Sequence, residues 1–191
     1  LSLSPAYQRS MSGRDYEIIV VDSGSVPPIS SELLRSHGLV GRIVTLTAPP
    51  FTLARAVNHG LGAATGAVIG VLFDGARLAS PGLLVTALSQ IGTEGGRLVT
   101  PLGYDLGCDQ QVHAVAAGYD MAREDRLLAA IDWTRDGERL FDIAVPDADT
   151  PPEWPGPLMA ASLPFMARGD WTRIGGADEA FDARTGGYLA H

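Results

Sequence analysis

The chain has almost no cysteine. Cys108 stands alone among 191 residues, so neither an internal disulfide nor a cysteine-rich zinc site can form. A lone thiol fits a reducing compartment. Long apolar runs are missing as well. No stretch approaches the ~20 residues of a membrane span, and the opening residues show no charged-then-apolar export signal. The expected location is therefore cytoplasmic, with no transmembrane segment. Positive charge is scarce and scattered: 14 Lys+Arg stand against 22 Asp+Glu, a net charge of −8. That balance argues against nucleic acid, or an anionic membrane surface, as a main partner. His37, His59, His113 and His191 have no ligand spacing such as His-x-x-x-His. The chain also lacks a Gly-x-Ser-x-Gly elbow, a Gly-x-x-x-x-Gly-Lys-Ser/Thr phosphate loop and the Gly-x-Gly-x-x-Gly pattern. The last absence disfavours a dehydrogenase.

What is present is a globular composition, 46% hydrophobic and 19% charged, in a length that suits one domain with a real core. Two apolar runs each break off at an aspartate: Glu17 to Val21 before Asp22-Ser23-Gly24-Ser25, and Ala67 to Phe73 before Asp74-Gly75. Short β-branched runs without alternation read as strands of a parallel sheet, buried on both faces. In such sheets ligands sit just outside the carboxyl ends of the strands. Asp22 and Asp74 are thus expected to converge on one rim.

The surrounding pattern agrees. Strands are expected over Tyr16–Val21, Gly41–Leu46, Ala67–Phe73 and Arg97–Thr100. Between them, Ser30-Ser31 cap a short helix over Glu32–His37, and Leu53–Ala64 carries apolar residues at spacings of three and four. Ser80-Pro81 starts a third helix that stops at Gly95-Gly96. Alternating strands and helices predict an α/β fold with a mostly parallel central sheet flanked by helices. Further on, Gln111–Ile131 reads as helix, Asp147–Pro157 as a loop rich in proline and acid, Leu158–Met166 as extended, and Asp170–Ile174 as a helical turn before Gly175-Gly176. No internal repeat is visible.

With these elements placed, four stretches in order resemble the inverting nucleotide-sugar glycosyltransferases of the family 2 type. Tyr16-Glu17-Ile18-Ile19-Val20-Val21-Asp22-Ser23-Gly24-Ser25 is similar to that family's "EIIVVDDGS". Ala54-Arg55-Ala56-Val57-Asn58-His59-Gly60-Leu61 with Ala64-Thr65-Gly66 resembles its "AxARNxGIxxAxG" helix. Val71-Leu72-Phe73-Asp74-Gly75-Ala76-Arg77-Leu78 resembles the strand that carries its metal motif, with the following helix in Ser80-Pro81-Gly82-Leu83-Leu84. Phe165 to Arg168 and Ile174-Gly175-Gly176-Ala177-Asp178-Glu179-Ala180-Phe181-Asp182 are similar to its "RRsxfexiGGfDExF" segment. The resemblance implies a Rossmann-like GT-A fold over residues 1–191 as a single domain. It also implies transfer of a sugar from a nucleotide-diphosphate donor to the hydroxyl of a carbohydrate or other acceptor, with inversion. The family's opening strand, "VSVIIPTYN", has no counterpart, and the end shows no stop signal. The expectation is therefore a domain truncated at its start and open to the same at its end. A homo-oligomer stays open.

Site residues follow from the same likeness. Asp22, Ser23, Arg55, Asn58, Asp74 and Arg77 fall on the donor side, and Asp178 and Glu179 are candidates for the base that takes the acceptor proton. Asp74 is the implied ligand of a divalent cation, Mn²⁺ or Mg²⁺, which would neutralise the departing diphosphate. Arg77 offers a metal-free route, since guanidinium donates two parallel hydrogen bonds to phosphate. Each residue also has a plainer reading. Asp22 can simply turn the chain, Arg55 and Arg77 can be solvated surface residues, Asn58 can bond to nearby backbone, and Asp178 and Glu179 can be solvated acids at a Gly-Gly turn. Trp171 is either a sugar platform or core. Three departures from the family keep a second function open: Ser23 replaces an acid, Asp74-Gly75-Ala76 keeps one carboxylate of the metal motif, and Gly186-Gly187 stands where a Glu-Asp pair is usual. Those favour a nucleotide-sugar binding or interaction module that no longer catalyses transfer. A nucleotidyltransferase shares the fold logic.

Overall fold

The computed structural model describes residues 2–13, 15–39, 41–48, 52–73, 77–92, 95–148, 150 and 163–180. Strand β1 (Ile18–Asp22) lies parallel to β2 (Gly41–Thr45), with Ile18 opposite Gly41 and Asp22 opposite Thr45. A parallel pair needs a crossover, here through helix α1 (Ser31–Ser36), whose first turn is capped by the Ser30 hydroxyl accepting from Leu33 N–H at 3.2 Å. Helix α2 (Leu53–Ala63) follows β2, and the Thr52 hydroxyl caps it by accepting from Arg55 N–H at 3.2 Å. It packs closely on β1: a Cβ on Gly60 would stand 3.3 Å from Val21 Cγ2. Glu17 then ties the strand's start to the helix's end, accepting from the Thr65 amide at 2.7 Å and hydroxyl at 2.6 Å and pairing with Arg42 at 3.2 Å.

The second layer forms around β3 (Val68–Gly70), which pairs antiparallel with β6 (Phe165–Ala167). Gly70 stands opposite Phe165, and a Cβ there would run into the Phe165 ring, so glycine lets the ring lie over this ladder. Val99 joins Phe165 from the other side, N–H to carbonyl at 3.0 Å and the reverse at 2.7 Å. Helix α3 (Leu83–Ile91) closes the core of Ala87, Ile91, Leu163 and Phe165, with Val68, Leu83, Leu84 and Val99 packed against it. Helix α6 (Arg168–Arg173) continues directly from β6. Its Trp171 is buried and donates its indole N–H to the Ile69 carbonyl at 3.2 Å, which makes it core rather than a sugar platform.

The remaining segment holds a pair that the sequence pattern did not suggest. Strand β4 (Tyr104–Leu106) lies antiparallel to β5 (Ala144–Pro146), and between them come α4 (Gln111–Ala116), α5 (Met121–Ile131) and a 3-10 helix over Gly137–Ile143.

The structure corrects the expected sheet. The fold is mixed α/β, but among the described residues it is built from three two-stranded sheets, of which only β1–β2 is parallel. Apolar periodicity predicts that a strand exists; its direction is set by its partner, and β3 takes β6 from a distant part of the chain. Residues Ile18 to Val21 are half-buried, not buried on both faces. The expected strand Arg97–Thr100 shrinks to the bridge at Val99. The expected helix Gln111–Ile131 breaks in two at Gly118, whose φ of +86° a continuous helix cannot hold; Asp120 restarts it by accepting from Arg123 N–H at 2.8 Å. Residues 158–162 of the expected extended run lie outside the described residues.

Helix α3 also finds an unexpected cap. Its N-cap, Gly82, has no side chain, and Gln8 supplies the acceptor instead, taking Leu84 N–H on Oε1 at 3.3 Å. The same amide donates to the carbonyls of Ser2 at 2.7 Å and Ser80 at 3.0 Å, and Gln8 is buried. Replacement by an apolar isostere strands the Ser2 carbonyl and the Leu84 amide, while the Ser80 carbonyl keeps the Leu83 N–H at 3.1 Å, and each unsatisfied buried group costs about 1–3 kcal/mol. Gln8→Leu should therefore lower unfolding free energy by about 2 kcal/mol or more in urea melts. A loss within error of zero would show that the opening segment does not anchor α3.

Candidate functional site

Asp22 ends β1 with its carboxylate almost wholly buried, at 2% exposure. Its Oδ1 accepts from the amides of Gly24 at 3.1 Å and Ser25 at 2.8 Å, and Oδ2 accepts from the amide of Ile29 at 3.2 Å. Bonding from the Ser25 amide above all, then from the Ser25 side chain and the Ile29 amide, holds this carboxyl below its ordinary pKa against the opposing effect of desolvation. Gly24, at φ +99°, allows the chain to curl around the carboxylate. Asp22 thus organises the loop from Ser23 to Ile29, and Ser23 sits half-buried within it.

Helix α2 holds the next two expected residues. Arg55, in its first turn, donates from Nη1 to the Ala48 carbonyl at 2.8 Å, bracing the loop that leads into the helix. Asn58, one turn on, reaches a segment 119 positions away: Nδ2 donates to the Ala177 carbonyl at 2.9 Å and Oδ1 accepts from the Ala177 amide at 2.8 Å. Its second amide hydrogen serves Glu179 Oε1 at 2.8 Å. Gly176 makes the approach feasible, because a Cβ there would lie 2.5 Å from Asn58 Oδ1. Asp178 turns inward on its own segment, accepting from Ala180 N–H at 2.9 Å. The structure therefore joins Asn58 to the Asp178–Glu179 segment, a pairing the two separate motifs did not reveal.

Arg77 lies elsewhere. It is exposed and lines a cavity of about 270 Å³ together with Ser2, His37, Leu78 and Trp133. His37 and Trp133 carried no sequence signal, since neither lies in a motif or at a helical period. Trp133 is steadied by an edge-on contact with Tyr7, ring centres 5.6 Å apart. A larger cavity of about 520 Å³ runs along α5, lined by Gly118, Asp120, Arg123, Arg126, Leu127 and Ala130, none of them an expected site residue.

Asp74, Gly75, Ala76, Asp182, Gly186 and Gly187 lie outside the described residues, so the convergence of Asp22 and Asp74 does not enter the geometry. Among the described residues, no three His, Cys, Asp or Glu side chains come close enough together to hold a metal ion. Among them, too, no helix is long and apolar enough to cross a membrane.

Comparison with known families bears on this geometry. Residues 6–74 match the model of the family described as Glycosyl transferase family 2. The match is consistent with a family 2 glycosyltransferase. It is short and covers part of such a domain, from the segment before β1 to Asp74, taking in Asp22, Ser23, Arg55 and Asn58. No curated protein and no solved structure matches the chain.

Asp22's lowered pKa fixes the sign of a pH effect. A carboxyl depressed on folding stabilises the fold fully above the unfolded pKa of about 3.9, and that contribution fades as pH falls through the lower folded value. Asp22→Asn should therefore melt at lower temperature than the parent at pH 6, and the gap should narrow from pH 4 to pH 2. A gap that stays constant over this range would show that the charge on Asp22 is not what holds the loop.

Proposed function

We propose that this chain is a glycosyltransferase that moves a sugar from a nucleotide-diphosphate donor to an acceptor hydroxyl with inversion. The observation that supports it most is the bond between Asn58, inside the family-matched helix, and Glu179, in the acidic segment after α6. A matched donor-side element and a carboxylate suited to base chemistry are thereby held next to each other. On this reading Asp22 and Ser23 shape the donor-side loop, Arg55 and Asn58 brace the helix beside it, and Asp74 and Arg77 belong to the diphosphate end. A divalent cation at Asp74 is part of the proposal on sequence position alone.

The chemistry needs one proton acceptor. Glu179 takes the proton of the acceptor hydroxyl; the freed oxygen forms its bond to the anomeric carbon from the face opposite the phosphate. The anomeric carbon–phosphate oxygen bond breaks, and its electron pair leaves with the diphosphate. Arg77 is assigned to that charge on sequence position alone, as a side chain with paired N–H donors. Asn58, by donating to Oε1, orients the carboxylate while leaving Oε2 for the proton.

Transfer or donor hydrolysis, followed with a panel of nucleotide sugars, tests this assignment. Glu179→Gln should lower kcat by about 10²–10⁴ with donor KM nearly unchanged, and Asp178→Asn should have the smaller effect. The reverse order would move the base to Asp178. Nucleotide binding with no turnover by the unsubstituted protein would replace the enzyme with a binding module.

A further inference from the structure

The acidic segment after α6 is tied to the fold by very little. Gly175 and Gly176, at φ +83° and +75°, close the end of α6, their amides donating to the carbonyls of Thr172 at 3.1 Å and Trp171 at 3.0 Å. Beyond Gly176 those bonds stop. Among the described residues, every hydrogen bond between residues 177–179 and another part of the fold runs through the Asn58 side chain. No large apolar side chain helps: Ile174, at the root of the segment, is 58% exposed, and Asp178 and Glu179 are exposed as well. Helix α2, against which the segment lies, is held quite differently. Thr52 caps its start, Arg55 binds the Ala48 carbonyl, Arg42 binds the Ala63 carbonyl, and Gly60 lies close on β1. Few buried contacts and exposed backbone mark the parts of a fold that open at low free-energy cost.

We infer that residues 177–179 form a strap hinged at Gly175-Gly176, and that Asn58 is the clasp that holds it against α2. The clasp is double. Oδ1 and Nδ2 take the Ala177 amide and carbonyl, which fixes the strap's backbone, and Nδ2 also serves Glu179 Oε1, which fixes the carboxylate. With the clasp open, two glycines free of the Cβ penalty let the strap swing about the end of α6. Gly176 belongs to both parts, because a Cβ on it would stand 2.5 Å from Asn58 Oδ1 and force the clasp apart. This deepens the transferase reading and rests on it only for the task of Glu179. Asn58 is then a positioning residue, and the base is in place while the clasp is closed. The hinge and the clasp themselves stand on the bonds alone.

Hydrogen exchange followed by NMR on the full chain, paired with transfer kinetics, tests the clasp from both sides. Asn58→Ala removes it from α2 with a residue that favours helix. Gly176→Ala removes it from the strap and leaves α2 untouched. In each, the Ala177 amide should exchange at least about tenfold faster, as expected from loss of its acceptor. The amides of β3 and β6 should stay within about twofold, as for a local opening. In the same variants kcat should fall about tenfold or more, with donor KM within about twofold of the parent. Unchanged exchange at Ala177 in Asn58→Ala, or acceleration that spreads equally to β3 and β6, would overturn the strap and leave sugar transfer untouched. Confined acceleration with unchanged kcat would keep the strap and remove Glu179 from the role of base. Confined acceleration in the variants, with no transfer by the unsubstituted chain, would keep the strap and overturn the transferase reading.

Discussion

Asn58 binds a single distant residue in both directions, donating to the Ala177 carbonyl and accepting from its amide. A side-chain amide that copies a strand's pattern in this way needs the opposing backbone to come very close, and only a residue without Cβ permits it at Gly176. The position of that glycine is itself the end of a chain of constraints. Antiparallel pairing of β3 with β6 sets where α6 begins, and the Trp171 indole bond to Ile69 sets how α6 lies on β3. Gly175 and Gly176, at φ +83° and +75°, then turn the chain back toward α2. Glu179 reaches its place only as the last link of this series. Loss of any earlier link would displace the carboxylate without touching it.

Several other polar side chains act in the same way, as fasteners of loops. Asp22 gathers three amides of the loop after β1, and Glu17 gathers Thr65 while pairing with Arg42. Asp170 is buried in α6, takes the Gly96 amide at 2.6 Å and pairs with Arg173 at 2.6 Å. Burying a carboxylate is unfavourable unless donors replace its lost water, and backbone amides of a tight loop are well suited to do so. The consequence for function is rigidity at strand ends, where a ligand-facing loop has to hold one shape before the ligand arrives. An acid in a motif that resembles a binding site can therefore serve the site by shaping backbone, with no ligand contact of its own.

How far the sequence was legible depends on whether the governing interaction was local. Ser30 before α1 and Thr52 before α2 are neighbours of the turns they cap, so the starts of those helices could be read within a residue or two. Gln8 caps α3 from 76 residues away, and no local pattern points to it. Gly118 was visible in the run from Gln111 to Ile131, but a single glycine inside a helical pattern does not by itself announce the break that its positive φ enforces. Strand direction was the largest loss, because the partner of β3 comes from the far end of the described chain. The site divides on the same line. Asn58, Asp178 and Glu179 each stood in a recognisable motif, yet their contact, made across 119 to 121 positions, is a property of the fold. His37 and Trp133 belong to no motif, and only the convergence of four segments distinguishes them.

Charge gives the arrangement its final constraint. A net charge of −8 makes this protein repel anions on average. That average matters little at short range, because exposed charges are screened beyond about 8–10 Å at ordinary ionic strength. What an anion meets is the local field, and several acids are already committed: Asp22 to its loop amides, Glu17 to Thr65 and Arg42, Asp170 to Gly96 and Arg173. Arg42 and Arg173 are committed with them, whereas Arg77 lines a cavity. An acidic chain can thus repel an anion less than its net charge suggests wherever its acids are held by backbone amides and arginines.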